Sequence, residues 1–285
     1  MDDIRIQWFP GHMTKAHRLI KEHLKLVDVV IELLDARIPF SSGNPVIKEV
    51  IEGKPRVIVL NKSDLAEDKP SENWIRYFRS QGIEAVLLEA TTGKGSKQLI
   101  TKVEAAANNK IQAMVAKGIR ARAIRAMILG IPNVGKSSLI NRLLGTATVR
   151  TGDTPGLTRG KQWIKIGKNL ELLDTPGVLW PKFEDPEVGF KLAITGAISD
   201  DVFDLDKVVL KLLDLLRTHY PERLISRYNL ISLPDQPEEL MQMIGSKRGC
   251  LRSGGTIDTE KTGRIVLTEF RAGKLGPATL DYPPQ

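Results

Sequence analysis

Residues 130–138 read GIPNVGKSS. They follow a predicted strand, 126–129, and their last three residues begin a predicted helix, 136–144. The Gly-x4-Gly-Lys-Ser spacing in this context is typical of a phosphate-binding loop. Glycines allow backbone N–H groups to face phosphate oxygens, and the start of the following helix adds its positive end. Lys136 is expected to reach the outer phosphates of a nucleotide, and the Ser137 hydroxyl to bind Mg²⁺. The loop therefore predicts a nucleotide site.

Two further phosphate-side motifs follow along the chain. Residues 174–177, DTPG, end another predicted strand, where Asp174 would hold Mg²⁺ through water and the Gly177 N–H would sense the terminal phosphate. Between this motif and the phosphate loop lies the segment 152–159, GDTPGLTR. It is predicted to be a mobile switch loop whose Thr158 closes on Mg²⁺, with an ordinary flexible loop as the alternative.

The base would be chosen by an earlier motif, NKSD at 61–64, which closes an apolar run. The Asp64 carboxylate is suited to accept both the ring N–H and the exocyclic amine of guanine, whereas adenine has no matching pair of donors. Asn61 is expected to contact the other base edge and brace neighbouring loops, and the Lys62 stem to lie along the ring face. A simple turn is the alternative, because Asn, Ser and Asp all favour turns.

Glu89 and Ala90 end the next predicted strand, where a backbone N–H would meet the guanine oxygen. The residues expected to bind the nucleotide are therefore Asn61, Lys62, Ser63, Asp64, Glu89, Ala90, Asn133, Val134, Gly135, Lys136, Ser137, Ser138 and Gly177. The Mg²⁺ ligands are expected to be Ser137, Thr158 and Asp174.

The parts of a GTP site are thus present in rotated order, since the base motif precedes the phosphate loop. The arrangement of strands in a sheet does not depend on where the chain begins. A circular permutation therefore leaves the pocket intact when the new ends lie at the surface. Predicted strands and helices alternate over residues 1–180, which indicates an α/β domain with a parallel-rich sheet covered by helices. Residues 181–285 predict a smaller all-helical domain, whose last residues, 276–285, are expected to be frayed.

Composition limits the class of protein. The chain of 285 residues has 41% hydrophobic residues, one cysteine and no apolar run of membrane-spanning length, so we expect a cytoplasmic, monomeric protein without a membrane partner. A formal net charge of +8 and several basic runs favour a nucleic-acid partner, although a solvated face explains any single run.

The motif set resembles the circularly permuted GTPases, and most closely the ribosome biogenesis GTPase A family, over essentially the whole chain. The motifs that carry the resemblance are QWFPGHM at 7–13, DARIP at 35–39, NKSD, GIPNVGKSS, DTPGVLWPKF at 174–183 and KRGCLRSGG at 247–255. The resemblance implies a protein that binds GTP and GDP and assists assembly of the large ribosomal subunit. It also implies hydrolysis that is slow alone and stimulated by that subunit or its precursor, and a C-terminal domain that touches ribosomal RNA.

The phosphate-side motifs do not include an evident group to activate the attacking water. Gly177 is followed by Val178 and Leu179, neither of which polarises water, so the chain is either a poor hydrolase alone or takes a catalytic group from elsewhere. The resemblance implies that His12 is catalytic, and a packing or helix-capping role is the alternative. It also implies that Asn133 helps to hold K⁺, the alternative being an asparagine that only suits the turn.

Two other functions are alternatives to a ribosome-assembly GTPase. A nucleotide-gated RNA-binding switch with incidental hydrolysis fits Val178 and Leu179. A small-molecule kinase would leave NKSD without a purpose. Asp35 and Arg37 are interpreted as an ion pair at a strand end.

Overall fold

The structure is a computed structural model that describes residues 18, 20–51, 53–119, 122–145, 163–173 and 185–284. The described chain divides into two compact units. One contains the β-sheet and takes in residues 18–173 and 278–284; the other is helical and contains residues 185–277. The expected division at residue 180 differs from this in the last residues, which belong with the sheet.

The sheet has six strands in the order β3-β2-β1-β4-β6-β5. The strands are β1 (Val29–Asp35), β2 (Arg56–Asn61), β3 (Glu84–Leu88), β4 (Ile124–Gly130), β5 (Trp163–Ile166) and β6 (Leu170–Leu173). All neighbouring pairs are parallel except β5 with β6, which form an antiparallel hairpin. The chain runs from β1 to one side and returns to β4 on the other, so the order reverses between β1 and β4. Ligands of open α/β sheets bind at such a reversal, beyond the carboxyl ends of the strands.

The central strands are almost wholly buried, as parallel strands covered on both faces must be, and β1 reads VVIELLD without exposed residues. Residues 20–24 are helical, and the other α-helices described in this unit are α1 (Pro45–Val50), α2 (Asp68–Ser80), α3 (Ser96–Ala116) and α4 (Lys136–Leu144). One core cluster joins Ile20 and Leu24 to Val30 and Met127. Another joins Trp74 and Phe78 of α2 to neighbours that include Ile58 and Leu60 of β2. The α/β fold with a mainly parallel sheet is therefore confirmed.

The helical unit contains α5 (Pro186–Thr195), α6 (Leu205–His219), α7 (Pro221–Tyr228), α8 (Pro237–Lys247) and α9 (Thr259–Arg271). Aspartate side chains cap three of these helices at Asp185, Asp204 and Asp258, each accepting a backbone N–H of the first turn. The apolar stripe of α6 is core, and α9 packs against it. The buried face of α9 carries Val266, Leu267 and Phe270 together with Thr262 and Gly263. Among the described residues, no helix combines the length and apolarity needed to cross a membrane.

The expectation that the chain end is frayed is wrong for residues 278–281. Ala278, Thr279 and Asp281 are buried. Their hydrogen bonds go to the segments that follow β1 and β2: the Ala278 N–H donates to the Leu65 carbonyl at 2.9 Å, and the Leu280 N–H donates to the Arg37 carbonyl at 2.8 Å. The polarity and prolines of the tail suggested a loose end, but satisfied backbone groups fix it to the sheet unit.

Candidate nucleotide-binding site

The phosphate loop joins β4 to α4, as predicted. Asn133 and Gly135 have positive φ angles of 56° and 102°, which turn the loop back on itself. The buried Lys136 side chain lies inside this turn, where its Nζ donates to the carbonyls of Gly130 and Ile131 at 3.2 and 2.8 Å. Because α4 begins immediately after Gly135, its first N–H groups and the lysine charge stand at one end of the helix. This arrangement suits a phosphate chain.

The loop is also pressed against β1. A Cβ on Gly130 would lie 2.7 Å from the Leu33 carbonyl oxygen, closer than real side-chain contacts allow. The glycine therefore permits the backbone of the phosphate loop to approach the neighbouring strand at the point where strand order reverses.

NKSD follows β2 at the same edge of the sheet. Lys62 has a left-handed backbone, φ 58°, and residues Ser63–Leu65 form one turn of 3-10 helix that presents Asp64 to solvent. The Lys62 ammonium lies 3.1 Å from an Asp35 carboxylate oxygen. That contact fixes the end of the side chain whose stem the sequence analysis placed along the base.

Asp35 is the buried centre of a three-residue cluster. Arg37 donates to it from Nε at 2.9 Å and from Nη2 at 2.7 Å, so the expected strand-end ion pair is present. Burial alone would raise the pKa of Asp35, but the charges of Arg37 and Lys62 outweigh it and hold the pKa well below its usual range. Asp35 thus stays ionised and anchors the base motif through Lys62, a role that the sequence analysis missed.

Asn61 connects the two halves of the site. Its side-chain amide donates to the Val134 carbonyl in the phosphate loop at 2.7 Å, and its amide oxygen accepts the Ala90 N–H at 3.1 Å. The residue is buried. The predicted bracing of neighbouring loops is therefore observed, although the three segments are far apart in the chain.

The loop after β3 carries Glu89 and Ala90. Hydrogen bonds from Lys94 and Thr92 lower the pKa of Glu89, and its carboxylate is thereby tied within the loop. The Arg142 guanidinium of α4 donates to the Thr92 carbonyl, so the phosphate-loop helix also contacts this loop. Since the Ala90 N–H already binds Asn61, a guanine contact through it would have to be shared.

The metal side of the site is only partly within the described residues. Ser137 is half-buried in the first turn of α4, next to Lys136, where a hydroxyl ligand fits the place expected for Mg²⁺. His12, Thr158, Asp174 and Gly177 lie outside the described residues. Within the part of the chain that the structure describes, no cluster of three or more His, Cys, Asp or Glu residues forms a ready metal site.

A phosphate loop after β4 and an NKSD motif after β2, at one edge of a mainly parallel sheet, form the arrangement expected of a GTP-hydrolysing enzyme. The family model described as 50S ribosome-binding GTPase matches residues 125–233. The match begins at the phosphate-loop strand and leaves out NKSD, as expected if the base motif has been moved ahead of it.

Curated relatives match nearly the whole chain. Ribosome biogenesis GTPase A of Bacillus cereus is 54% identical over 98% of this chain and 94% of its own length. The Thermotoga maritima protein of the same name is 29% identical over 98% of this chain and 95% of its own. A crystal structure of GNP-bound YlqF from T. maritima has a TM-score of 0.67 and 27% identity, covering 95% of this chain and 99% of that one. The chain belongs to the ribosome biogenesis GTPase A family and is a GTPase, which binds GTP, GDP and Mg²⁺.

Proposed function

We propose that this GTPase is an assembly factor that binds a late precursor of the large ribosomal subunit and leaves it after hydrolysis. The observation that carries the proposal is near full-length similarity to Ribosome biogenesis GTPase A, together with the Asn61 bridge that joins the base and phosphate motifs.

In the proposed site, Asp64 reads guanine while Asn61 and Lys62 hold the base motif in place. Ser63, Glu89 and Ala90 line the base. On the phosphate side, the contacts come from Asn133, Val134, Gly135, Lys136, Ser137, Ser138 and Gly177. Ser137, Thr158 and Asp174 hold Mg²⁺, which neutralises charge between the phosphates. Lys136 is supported by its position over the loop carbonyls, where its charge faces the start of α4.

His12 is proposed to orient the attacking water, because Val178 and Leu179 follow Gly177 and neither carries a polar side-chain atom. Asn133 is proposed to help hold K⁺ at the phosphates, where a cation supplies charge stabilisation. Its exposed side chain and left-handed backbone at the rim of the loop support that assignment.

The partner is proposed to be ribosomal RNA of the large-subunit precursor, contacted by the helical unit. Two observations support this partner. The chain has a formal net charge of +8, and exposed cations such as Lys247 and Arg252 lie in or next to the Gly-rich loop at 249–255 of the helical unit. Aromatic residues make up only 5% of the chain, so phosphate contacts are favoured over base stacking.

Co-sedimentation tests this proposal. The protein is mixed with purified large or small ribosomal subunits in the presence of a non-hydrolysable GTP analogue, GDP or no nucleotide. It should pellet with large subunits in the GTP-analogue state and be released with GDP. A Lys136→Ala variant, impaired in phosphate binding, should lose the nucleotide dependence. Equal pelleting with both subunits in all nucleotide states would overturn the proposal and favour a general RNA-binding protein.

A further inference from the structure

The chain end forms a strap across the two segments that support the base motif. The strap consists of residues 278–281. It is the covalent continuation of the helical unit, whose last residue, Pro277, has its carbonyl hydrogen-bonded by Arg223 of α7. Every contact described below lies within the sheet unit.

On one side, the strap holds the segment that directly follows NKSD. The Ala278 N–H donates to the Leu65 carbonyl at 2.9 Å, one residue after Asp64. The Thr279 hydroxyl oxygen accepts the Glu67 N–H at 3.0 Å. Since Asp64 itself is exposed, the direction of its carboxylate depends on the backbone that these two bonds fix.

On the other side, the strap holds the segment after β1. The Leu280 N–H donates to the carbonyl of Arg37, whose side chain binds Asp35, and Asp35 in turn pairs with Lys62 of NKSD. The Asp281 carboxylate accepts the Ser41 N–H at 2.6 Å and the Ser41 hydroxyl at 3.1 Å.

A third anchor joins the strap to the adjoining helix. The Asp281 carbonyl accepts the indole N–H of Trp74 in α2 at 2.9 Å. Thr279 and Asp281 are 2% and 4% exposed, so these bonds form away from water, where an unpaired partner is costly. The base motif is thus supported from both flanks by residues more than two hundred positions later in the sequence.

We propose that this strap is a positioning element for guanine recognition: it preorganises Asp64 so that both donors of the guanine edge are met. The inference rests on the proposed base site. It assigns Thr279 and Asp281 a part in nucleotide selectivity that is distinct from contact with the nucleotide. Because the strap extends from the helical unit, it also offers a route by which events at that unit bias nucleotide affinity.

The test compares affinities for GDP and for inosine diphosphate, which lacks the exocyclic amine. A correctly aimed Asp64 favours GDP, because a site built to pair a donor rejects the analogue without it. Thr279→Val keeps the side-chain volume but removes the hydroxyl oxygen that accepts the Glu67 N–H. Thr101→Val, at an exposed threonine of α3, is the matched control. We expect Thr279→Val to weaken GDP binding about tenfold and inosine diphosphate binding much less, as loss of one guanine contact would.

Either of two results for Thr279→Val would overturn the inference. The variant could match Thr101→Val, or it could weaken binding of both nucleotides by the same factor, which would indicate a purely structural strap. Asp64→Asn serves as the reference for the site: it should abolish the preference for GDP. If Asp64→Asn removes the preference and Thr279→Val does not, the strap inference alone fails. If Asp64→Asn retains the preference, the base site and the inference fail together.

Discussion

At the scale of single residues, the site depends on side chains that hold other parts of the site in place. Asn61 ties the phosphate loop to the loop after β3, and Asp35 holds Lys62 and Arg37 together. Both side chains are buried, so their hydrogen bonds stabilise the fold more than exposed ones would. Removing one partner leaves a buried polar atom unsatisfied and lowers the free energy of unfolding. The nucleotide therefore meets a surface that is largely formed before it binds.

Asn61→Ala tests this bridge. The change leaves the Val134 carbonyl and the Ala90 N–H without the amide that pairs them, which should lower the free energy of unfolding by about 1–3 kcal/mol. GDP affinity should fall as well, because both loops lose their common support. Urea unfolding and titration with a fluorescent GDP analogue measure the two effects. Asn169→Ala, in the exposed turn between β5 and β6, is the matched control and should change neither.

Asp28, just before β1, sets part of the acid stability of the sheet unit. Burial would raise its pKa, but hydrogen bonds from Arg122 and Lys110 outweigh burial and lower the pKa to about 2 from the ordinary 3.8. A depressed carboxyl pKa stabilises the fold above the ordinary value, and that contribution is lost as pH falls through the lowered one.

The pH prediction follows from that sign. Between about pH 4 and about pH 2, the wild-type free energy of unfolding should fall by about 2 kcal/mol more than that of Asp28→Asn. Urea unfolding across this range measures the difference, with the exposed Asp68→Asn as control. Parallel acid profiles for wild type and Asp28→Asn would contradict the assignment.

At the scale of elements, close approach of backbones shapes the site. A Cβ on Gly135 would lie 2.3 Å from the Asn61 amide nitrogen, so the phosphate loop and the base motif meet at the start of α4. Gly145, which ends the same helix, also has a positive φ of 70°, yet a Cβ there meets nothing within 4 Å. The two glycines thus share a left-handed backbone but differ in what surrounds them.

This difference gives a paired prediction. Gly135→Ala and Gly145→Ala should each cost about 1 kcal/mol of stability from the left-handed backbone. Only Gly135→Ala should also displace Asn61. We expect it to weaken GDP binding by about tenfold or more, which is the effect of losing about one hydrogen-bonded contact. Equal GDP affinity for the two variants, measured by the same titration, would show that the contact between loop and base motif is unimportant.

In the helical unit, Glu269 of α9 joins α7 and the end of α8. It accepts hydrogen bonds from Arg227 at 3.0 and 2.6 Å and from Arg248 at 2.9 and 3.1 Å. Glu269→Ala should destabilise this unit by about 2 kcal/mol, since charged hydrogen bonds at a buried acceptor are lost. Glu260→Ala removes an exposed i,i+4 pair with Arg264 on the same helix and should cost less than about 1 kcal/mol. Thermal or urea unfolding separates them, and equal losses would contradict the assigned role.

The predictable parts of this molecule are those encoded over short distances. The phosphate-loop spacing and NKSD each lie within a dozen residues, so sequence alone located them. The ion pair of Asp35 and Arg37 was also expected. Its third member, Lys62, and the strap were missed because these contacts join distant segments. The bond between Ser41 and Asp281 spans 240 positions, and no local pattern signals it.

At the scale of the whole molecule, permutation changes what the chain ends are attached to. In the sheet unit, β1 and β2 bring the base motif first, and the phosphate loop follows β4. The helical unit then follows the phosphate-side motifs in sequence, and its own end returns as the strap beside NKSD. Both sides of the nucleotide site are therefore continuous with the helical unit through the chain, which suits a protein whose nucleotide state is to be sensed by a large partner.

We propose that GTP hydrolysis by this protein is controlled by the large ribosomal subunit. GTP turnover by the full chain should be measured alone, with purified large subunits and with small subunits, in potassium and in sodium buffer. We expect slow turnover alone, strong stimulation by large subunits only, and a larger stimulation in potassium. Turnover that is indifferent to large subunits in both buffers would contradict this proposal.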